Sequence, residues 1–398
     1  MRKTQLALAA VALIASSAAV SANVSISGNL DMGIARTSGY NGTGGMMIEQ
    51  GAYFDNQSIN LNVSEDLGSG LKAHGSLGMG FNANGASDNP GLNRVPAAAA
   101  NPQPNGANTF QSGGSVMDNG LFNRQSYVGL SGEFGDIRLG KQLSPFIAAA
   151  AGNMHYVGMF GVGRLAMAAD EGGGSGTAGA FFKDDAIQYT TPSMSGFTGN
   201  VMVTMRNSTN NNQLIIDRGR YSAFSLSGPL GPITINAAYH SQSLTNAALT
   251  EYTGYAIGGM APITDGISLS AGYISTKQGN TAAGGNDNRT DSYNVGIGFD
   301  LSGSTKLQAQ YASSNVVQNQ STTLMNIMLI NTLSARTKLY AGLGYGNRIG
   351  ATIGAVGGTP QTGAGVVQTT ANGGNSNVLN NGVQSSNNAI VFGVAHSF

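Results

Sequence analysis

The 398-residue sequence has no cysteine and no tryptophan, and charged residues make up only 10% of it. Without cysteine there can be no disulfide framework, no thiolate metal centre and no cysteine nucleophile. Lysine plus arginine and aspartate plus glutamate number 19 each, so no basic surface for nucleic acid is present. After residue 22 no window has the roughly 20 consecutive apolar residues needed for a membrane helix. Disorder does not fit either, because 41% of the residues are hydrophobic. The arrangement of those residues carries the information.

Residues 1–22 have the three parts of a secretory signal. Arg2 and Lys3 supply the positive start, Leu6 to Ile14 the apolar run, and Val20-Ser21-Ala22 the small residues around a cleavage point. A membrane anchor is disfavoured because the run is short and no stop-transfer charges come after it. Cleavage after Ala22 leaves residues 23–398 as one domain of 376 residues, with 17 basic and 19 acidic side chains.

Alternation with period two then begins. Val24, Ile26, Leu30, Met32 and Ile34 share one face, and Asn23, Ser25, Ser27, Asn29 and Asp31 the other. The pattern recurs at Ile59–Val63, Ile233–Tyr239, Ile267–Tyr273, Tyr293–Phe299, Leu307–Tyr311 and Leu339–Tyr345, nearly always with a polar opposite face. Short turns are expected at 65–70, 132–136, 193–196, 228–232, 261–266, 302–304 and 334–336. Long polar stretches lie between them at 36–55, 82–120, 143–183, 207–219, 241–251, 277–291, 313–322 and 347–387. Seven short turns and eight long loops join sixteen strands.

Short turns on one side and long loops on the other describe an antiparallel transmembrane β-barrel with an even strand number. About 23 residues per strand and connection suit strands of roughly 9–11 residues. A Gly-, Ser- and Asn-rich second face cannot be buried in a protein core, so it faces water and the apolar face meets lipid. Closure pairs every backbone group, as hydrocarbon demands. Tyrosines and phenylalanines near strand ends are expected to form interfacial girdles. The least regular segment is 323–333, where Met325, Ile327 and Leu329 face one way and Met328 and Ile330 the other. It is expected to pack against another element or another subunit.

The stretch Gly135-Asp-Ile-Arg-Leu-Gly-Lys-Gln142 is one residue from G-x-x-x-x-G-K-[ST]. A phosphate loop joins a buried strand to a helix N-terminus. Here Ile137 and Leu139 alternate with Asp136, Arg138 and Gly140, so the segment is itself a strand. Gln142 replaces the magnesium-binding hydroxyl. Arg138 is therefore expected to point into the polar interior, with Lys141 where the chain leaves the wall.

The chain resembles the Gram-negative general porins, particularly those of beta-proteobacteria. The resemblance is carried by Ser64-Glu-Asp-Leu-Gly68 with Gly70-Leu-Lys-Ala73, by Phe122–Gly132, by Leu139–Gln142, by Ile187–Pro192 with Gly196-Phe197, and by His396-Ser-Phe398. It implies a homotrimer of sixteen-stranded barrels set in outer-membrane lipid and lipopolysaccharide. It also implies passive diffusion of ions and small hydrophilic solutes, and a third long loop, 143–183 by order, folded into the lumen. Phe398 resembles the signal read by the barrel-assembly machinery. The chain departs from the family pattern at Ser27, where an aromatic residue is usual, at Ser58 and near Ala395 and Ser397, where basic ones are, and near Gly78, where an acidic one is. These departures remove charge from the wall and leave the sign of ion preference open.

Charges facing each other across a narrow throat focus the field felt by a permeating ion. The basic candidates are Lys72, Arg124, Arg138, Lys141 and Arg206; the acidic ones are Asp170, Glu171, Asp184 and Asp185. Each could equally be a solvated rim charge. Arg124 shares parity with Val128 and Leu130, so it faces inward only if a bulge intervenes. Gly284–Asn288 offers a single glycine-aspartate turn, too little for a stacked calcium-binding repeat. His74, His155, His240 and His396 show no metal spacing, and no catalytic motif or cofactor fingerprint occurs. Beside a general diffusion channel stand a substrate-specific channel, which would need a lumen slide of aromatic or charged groups, and a β-solenoid adhesin, which would need a repeat period that is absent.

Overall fold

The computed structural model describes residues 22–37, 45–50, 57–81, 122, 124–155, 182–204, 221–243, 249–280, 288–316, 320–347 and 387–398. Residues 1–21, Asp170, Glu171, Arg206 and the 284–287 turn lie outside them.

Along the chain the strands are β1 Asn23–Thr37, β2 Gly45–Gln50, β3 Gln57–Gly68, β4 Leu71–Phe81, β5 Ser126–Gly132 and β6 Gly135–Leu143. A short helix, α1 Pro145–Ala151, comes next. Then come β7 Phe182–Thr190, β8 Thr198–Thr204, β9 Tyr221–Leu230, β10 Ile233–Ser243, β11 Leu249–Thr264 and β12 Ile267–Asn280. The last five are β13 Asn288–Asp300, β14 Thr305–Val316, β15 Gln320–Thr332, β16 Thr337–Asn347 and β17 Asn387–Ser397. Both β2 and β3 pair with β1, β2 along Met32–Thr37 and β3 along Asn23–Asn29, so the two are one interrupted stave. The result is a closed antiparallel barrel of sixteen staves.

The seam between the chain ends is fully bonded. β1 and β17 pair from Asn29↔Ser397 to Thr37↔Ala389. Phe398 then donates its backbone N–H to the Gly28 carbonyl and accepts from the Gly28 N–H, both at 3.0 Å. Glycine is required at 28, since a Cβ there would lie 2.3 Å from the Ser58 carbonyl oxygen and 2.6 Å from the Phe398 ring.

Alternation sorts the side chains as the sequence predicts. Ile26 is 66% exposed on the outside, whereas Asp31 and Ala35 are fully buried on the inside. The same outward band continues through Val128, Ile187, Val201, Phe224, Ile257, Val295, Ile327, Leu343 and Phe392. A monomer in water does not expose apolar surface right round its girth; hydrocarbon is its solvent. Tyr239 and Tyr255 are directly opposed on β10 and β11, and the ring centroids of Tyr255 and Tyr273 lie 5.7 Å apart and those of Tyr273 and Tyr293 5.0 Å. These four make part of an aromatic girdle near the long-loop ends of their strands.

Two details differ from the sequence expectation. Strands run further into the polar stretches than expected: β11 has 16 residues and β12 has 14. Residues 45–50, assigned to a loop, form β2. The added residues of β11 and β12 are mostly polar, so alternation fades there; β2 reads Gly-Met-Met-Ile-Glu-Gln, with three consecutive apolar residues that break the period of two. The segment 323–333 lies almost wholly in wall strand β15, with apolar residues on both faces. Met325, Ile327 and Leu329 are exposed, and Leu324, Asn326, Met328 and Ile330 are buried on the inner side.

Candidate functional site

The stretch GDIRLGKQ forms most of β6, and the chain leaves the wall directly after it. Ser144 caps α1 with its hydroxyl towards the Ile147 N–H, Pro145 occupies the first turn, and Gly152 ends the helix. A serine-proline pair followed by alanines was the available signal for this helix. Phe146, Ile147, Ala149 and Ala150 are buried in one cluster with Met154, Phe182, Ala238, Ala256 and Ile274. Ala238, Ala256 and Ile274 are inward residues of β10, β11 and β12, so α1 lies inside the barrel.

Polar anchors hold the chain on both sides of α1. Tyr221 Oη and Ser144 Oγ are 2.6 Å apart. The Asn236 amide donates to the Gly152 carbonyl at 3.1 Å and to Asn153 Oδ1 at 3.2 Å. Asn153 sits in a dent made by the opposed Gly258 and Gly272, where a Cβ would come within 2.7 Å and 3.1 Å of it. His155 bridges Ser270 Oγ at 2.7 Å and Ser268 Oγ at 2.8 Å. Its imidazole is held below the ordinary pKa of 6.5, chiefly by desolvation. None of these anchors was expected, because they join positions about 80 to 115 apart in the chain.

The charged groups concentrate on β4 to β7. Arg138 faces inward and donates through Nε and Nη2 to Asp136 Oδ2, both at 2.7 Å. Its guanidinium lies 4.9 Å from the Tyr127 ring centroid. The other oxygen of Asp136 meets His74 Nε2 at 2.8 Å. Higher on the wall, Lys141 and Asp184 pair at 3.0 Å. There Asp184 and Asp185 stand against Lys141 alone, a bulge in which Asp185 takes φ +50°. Lys183, not anticipated as a site residue, is buried over the Tyr221 ring at 4.1 Å and donates to Gln242 Oε1 at 3.2 Å. Lys72 is exposed at the turn end of β4, in register with Asp136 across Ser131 of β5. His74 and Asp136 share the inward parity of Lys72 and Arg138, which is the signal that could have found them.

Arg124 is turned by a bulge. Its N–H donates to the Gly78 carbonyl at 3.0 Å while the Gly78 N–H donates to the Gln125 carbonyl at 2.6 Å, setting two residues opposite one. The guanidinium then lies 5.2 Å from the Phe182 ring centroid. Beside it is a cavity of about 260 Å³ whose wall includes Ser27, Asn60, Asn62 and Ser76. Around the ring of staves this wall faces the α1 side, roughly eight strands away. Among the described residues no group of three or more His, Asp or Glu side chains could hold a metal ion.

A barrel with apolar outside, polar inside and a helix laid in its lumen fits the comparison with known families. The model of the Gram-negative porin family matches residues 7–350. This chain belongs to that family. It is accordingly an outer-membrane diffusion channel for ions and small hydrophilic solutes. The anion-selective porin from Comamonas acidovorans has a similar structure, with a TM-score of 0.69 at 21% identity, covering 95% of this chain and 100% of that one. The trimer form of OmpT from Vibrio cholerae gives 0.60 at 12% identity, covering 95% of this chain and 100% of the other. The outer membrane channel DcaP of Acinetobacter baumannii gives 0.58 at 12% identity over 95% and 97%. No curated protein sequence matches the chain. For this porin the lumen between α1 and the β4–β7 wall is the candidate functional site.

Proposed function

We propose that α1 and the residues beside it narrow the channel, so that solutes pass between this inserted segment and the wall that carries Arg124, Arg138, Lys141, Asp136 and Asp184. The observation that carries the reading is α1 itself, an apolar helix laid against the inner faces of β9, β10 and β11. A loop held there removes cross-section from the lumen where the wall charges cluster. Arg206, Asp170 and Glu171 join the same set by sequence order, and Lys72 acts at the mouth.

The charges are arranged as close pairs. Arg138 with Asp136 and Lys141 with Asp184 are each within 3.0 Å. The field of such a pair falls off faster than that of a lone charge, so the pore passes ions of both signs with weak preference. In a tenfold salt gradient the reversal potential should fall well short of the roughly 59 mV of an ideally selective pore. A value near that limit would contradict weak selectivity, and a folded protein without steady conductance would contradict the narrowed-pore reading.

Three copies are proposed to assemble through part of the exposed apolar band, in keeping with the trimer form recorded for the Vibrio protein. Residues 1–22 are proposed to be removed on export, and Phe398 at the bonded seam to be read by the barrel-assembly machinery. The rest of the band and the tyrosine girdle would meet outer-membrane lipid and lipopolysaccharide. Mass spectrometry of the mature N-terminus and light scattering in detergent test the removal of residues 1–22 and the trimer directly.

A further inference from the structure

The cavity beside Arg124 joins the Ser- and Asn-rich inner wall to a guanidinium. Hydroxyl and carboxamide groups from β1, β3 and β4 make its floor, with one guanidinium and one aromatic ring at its edge. Such groups both donate and accept hydrogen bonds, as a sugar hydroxyl does. They are also held in place: Ser76 Oγ donates to Asn62 Oδ1 at 2.8 Å, and Asn62 Nδ2 donates to Ser27 Oγ at 3.0 Å. A relay of this kind fixes amide and hydroxyl orientations before any solute arrives. Its size of about 260 Å³ is below the range typical of drug-sized ligands and suits a single monosaccharide.

Three small residues, Ser27, Ser58 and Gly78, meet here. Ser27 and Ser58 line the cavity. A Cβ on Gly78 would lie 2.6 Å from Asn60 Oδ1, 3.2 Å from the Gln125 nitrogen and 3.5 Å from Arg124 Cβ. Small residues at all three places open the hollow. Large or charged ones would fill it.

We propose that this cavity is a subsite for a sugar acid, a monosaccharide carrying one carboxylate, met by the solute on its way through the pore. The proposal rests on the porin reading and adds a solute class to it. The serine and asparagine groups take the hydroxyls. Arg124 takes the carboxylate with its planar fork, and the buried Phe182 ring, 5.2 Å from that guanidinium, backs it from the side of α1.

The experiment is single-channel recording in potassium chloride with glucuronate added to one side. Glucuronate should reduce the chloride current saturably. Glucose, which lacks the carboxylate, and acetate, which lacks the hydroxyls, should each need about tenfold more for the same effect. Asn62→Leu and, independently, Arg124→Gln should raise the half-blocking glucuronate concentration about five- to tenfold, each measured against the same variant's own chloride current. Current that falls in simple proportion to glucuronate overturns the proposal, as does glucose or acetate matching glucuronate, or half-blocking concentrations unchanged in both variants. Silence of the parent protein in chloride alone would instead overturn the narrowed-pore reading, so the two failures are distinguishable.

Discussion

Replacing Phe146 by alanine should loosen the inserted segment without harming the barrel. Phe146 is fully buried in the cluster that joins α1 to Ala238, Ala256 and Ile274. Truncating a buried phenylalanine in a packed cluster costs about 3–5 kcal/mol. The ladders of β9 to β12 do not depend on that ring, so the loss falls on the attachment of α1. At 1.4 kcal/mol for each factor of ten, 3 kcal/mol multiplies the detached population by roughly a hundred. What remains are the smaller apolar contacts of Ile147, Ala149, Ala150 and Met154 and single polar anchors such as Ser144 to Tyr221 and His155 to Ser268 and Ser270, each anchor contributing about 1 kcal/mol. Single-channel recording reads the outcome as added open-channel noise and brief excursions to higher conductance. Heat-modifiable mobility on gels checks that the barrel is folded. A folded Phe146→Ala channel as quiet and as narrow as the parent would refute the packing argument.

Arg138→Gln should leave Asp136 with only His74 beside it and move the reversal potential towards cation preference, whereas Asp136→Asn should move it the opposite way. Equal shifts of one sign would show that neither residue borders the ion path. His155 should make loop attachment acid-sensitive. Its folded-state pKa lies below 6.5, so the attached state binds the proton less readily than the detached one. Attachment is complete above about pH 6.5 and weakens as pH falls through that value towards the lowered pKa, and open-channel noise should rise accordingly. In His155→Asn that rise should be missing; a similar rise would place the titration elsewhere. Gly28→Val should sharply lower the yield of folded barrel, because its side chain would collide with the Ser58 carbonyl and the Phe398 ring at the seam. Refolding into detergent followed by gel mobility measures it, and a parental yield would show that the seam tolerates a Cβ.

Much of the architecture is legible in the sequence. The outward positions of β1, β3, β10, β12 to β14 and β16 are read directly from alternation, because each side chain's direction depends only on its neighbours along the strand. The seven short turns stand where Gly, Ser and Pro clusters placed them. Where alternation weakened, so did the reading: β2 has three consecutive apolar residues, Met46 to Ile48, and the long-loop ends of β11 and β12 are mostly polar. The bulge that turns Arg124 could be stated as a condition but not decided, since it depends on the two hydrogen bonds at Gly78.

The sequence alone therefore determined that this chain is a closed two-faced ribbon with a wet interior, and it singled out most of the described charges on that interior. Only the tertiary structure decided which of them meet. Arg138 shares Asp136 with His74, 62 positions away from that carboxylate, and Tyr340 donates to Asp31 across 309 positions. The helix in the lumen and the hollow around Asn62 likewise depend on strands brought together by closure. The physical reason is that side-chain direction is fixed locally by backbone geometry, whereas pairing across a barrel depends on register accumulated over all sixteen staves.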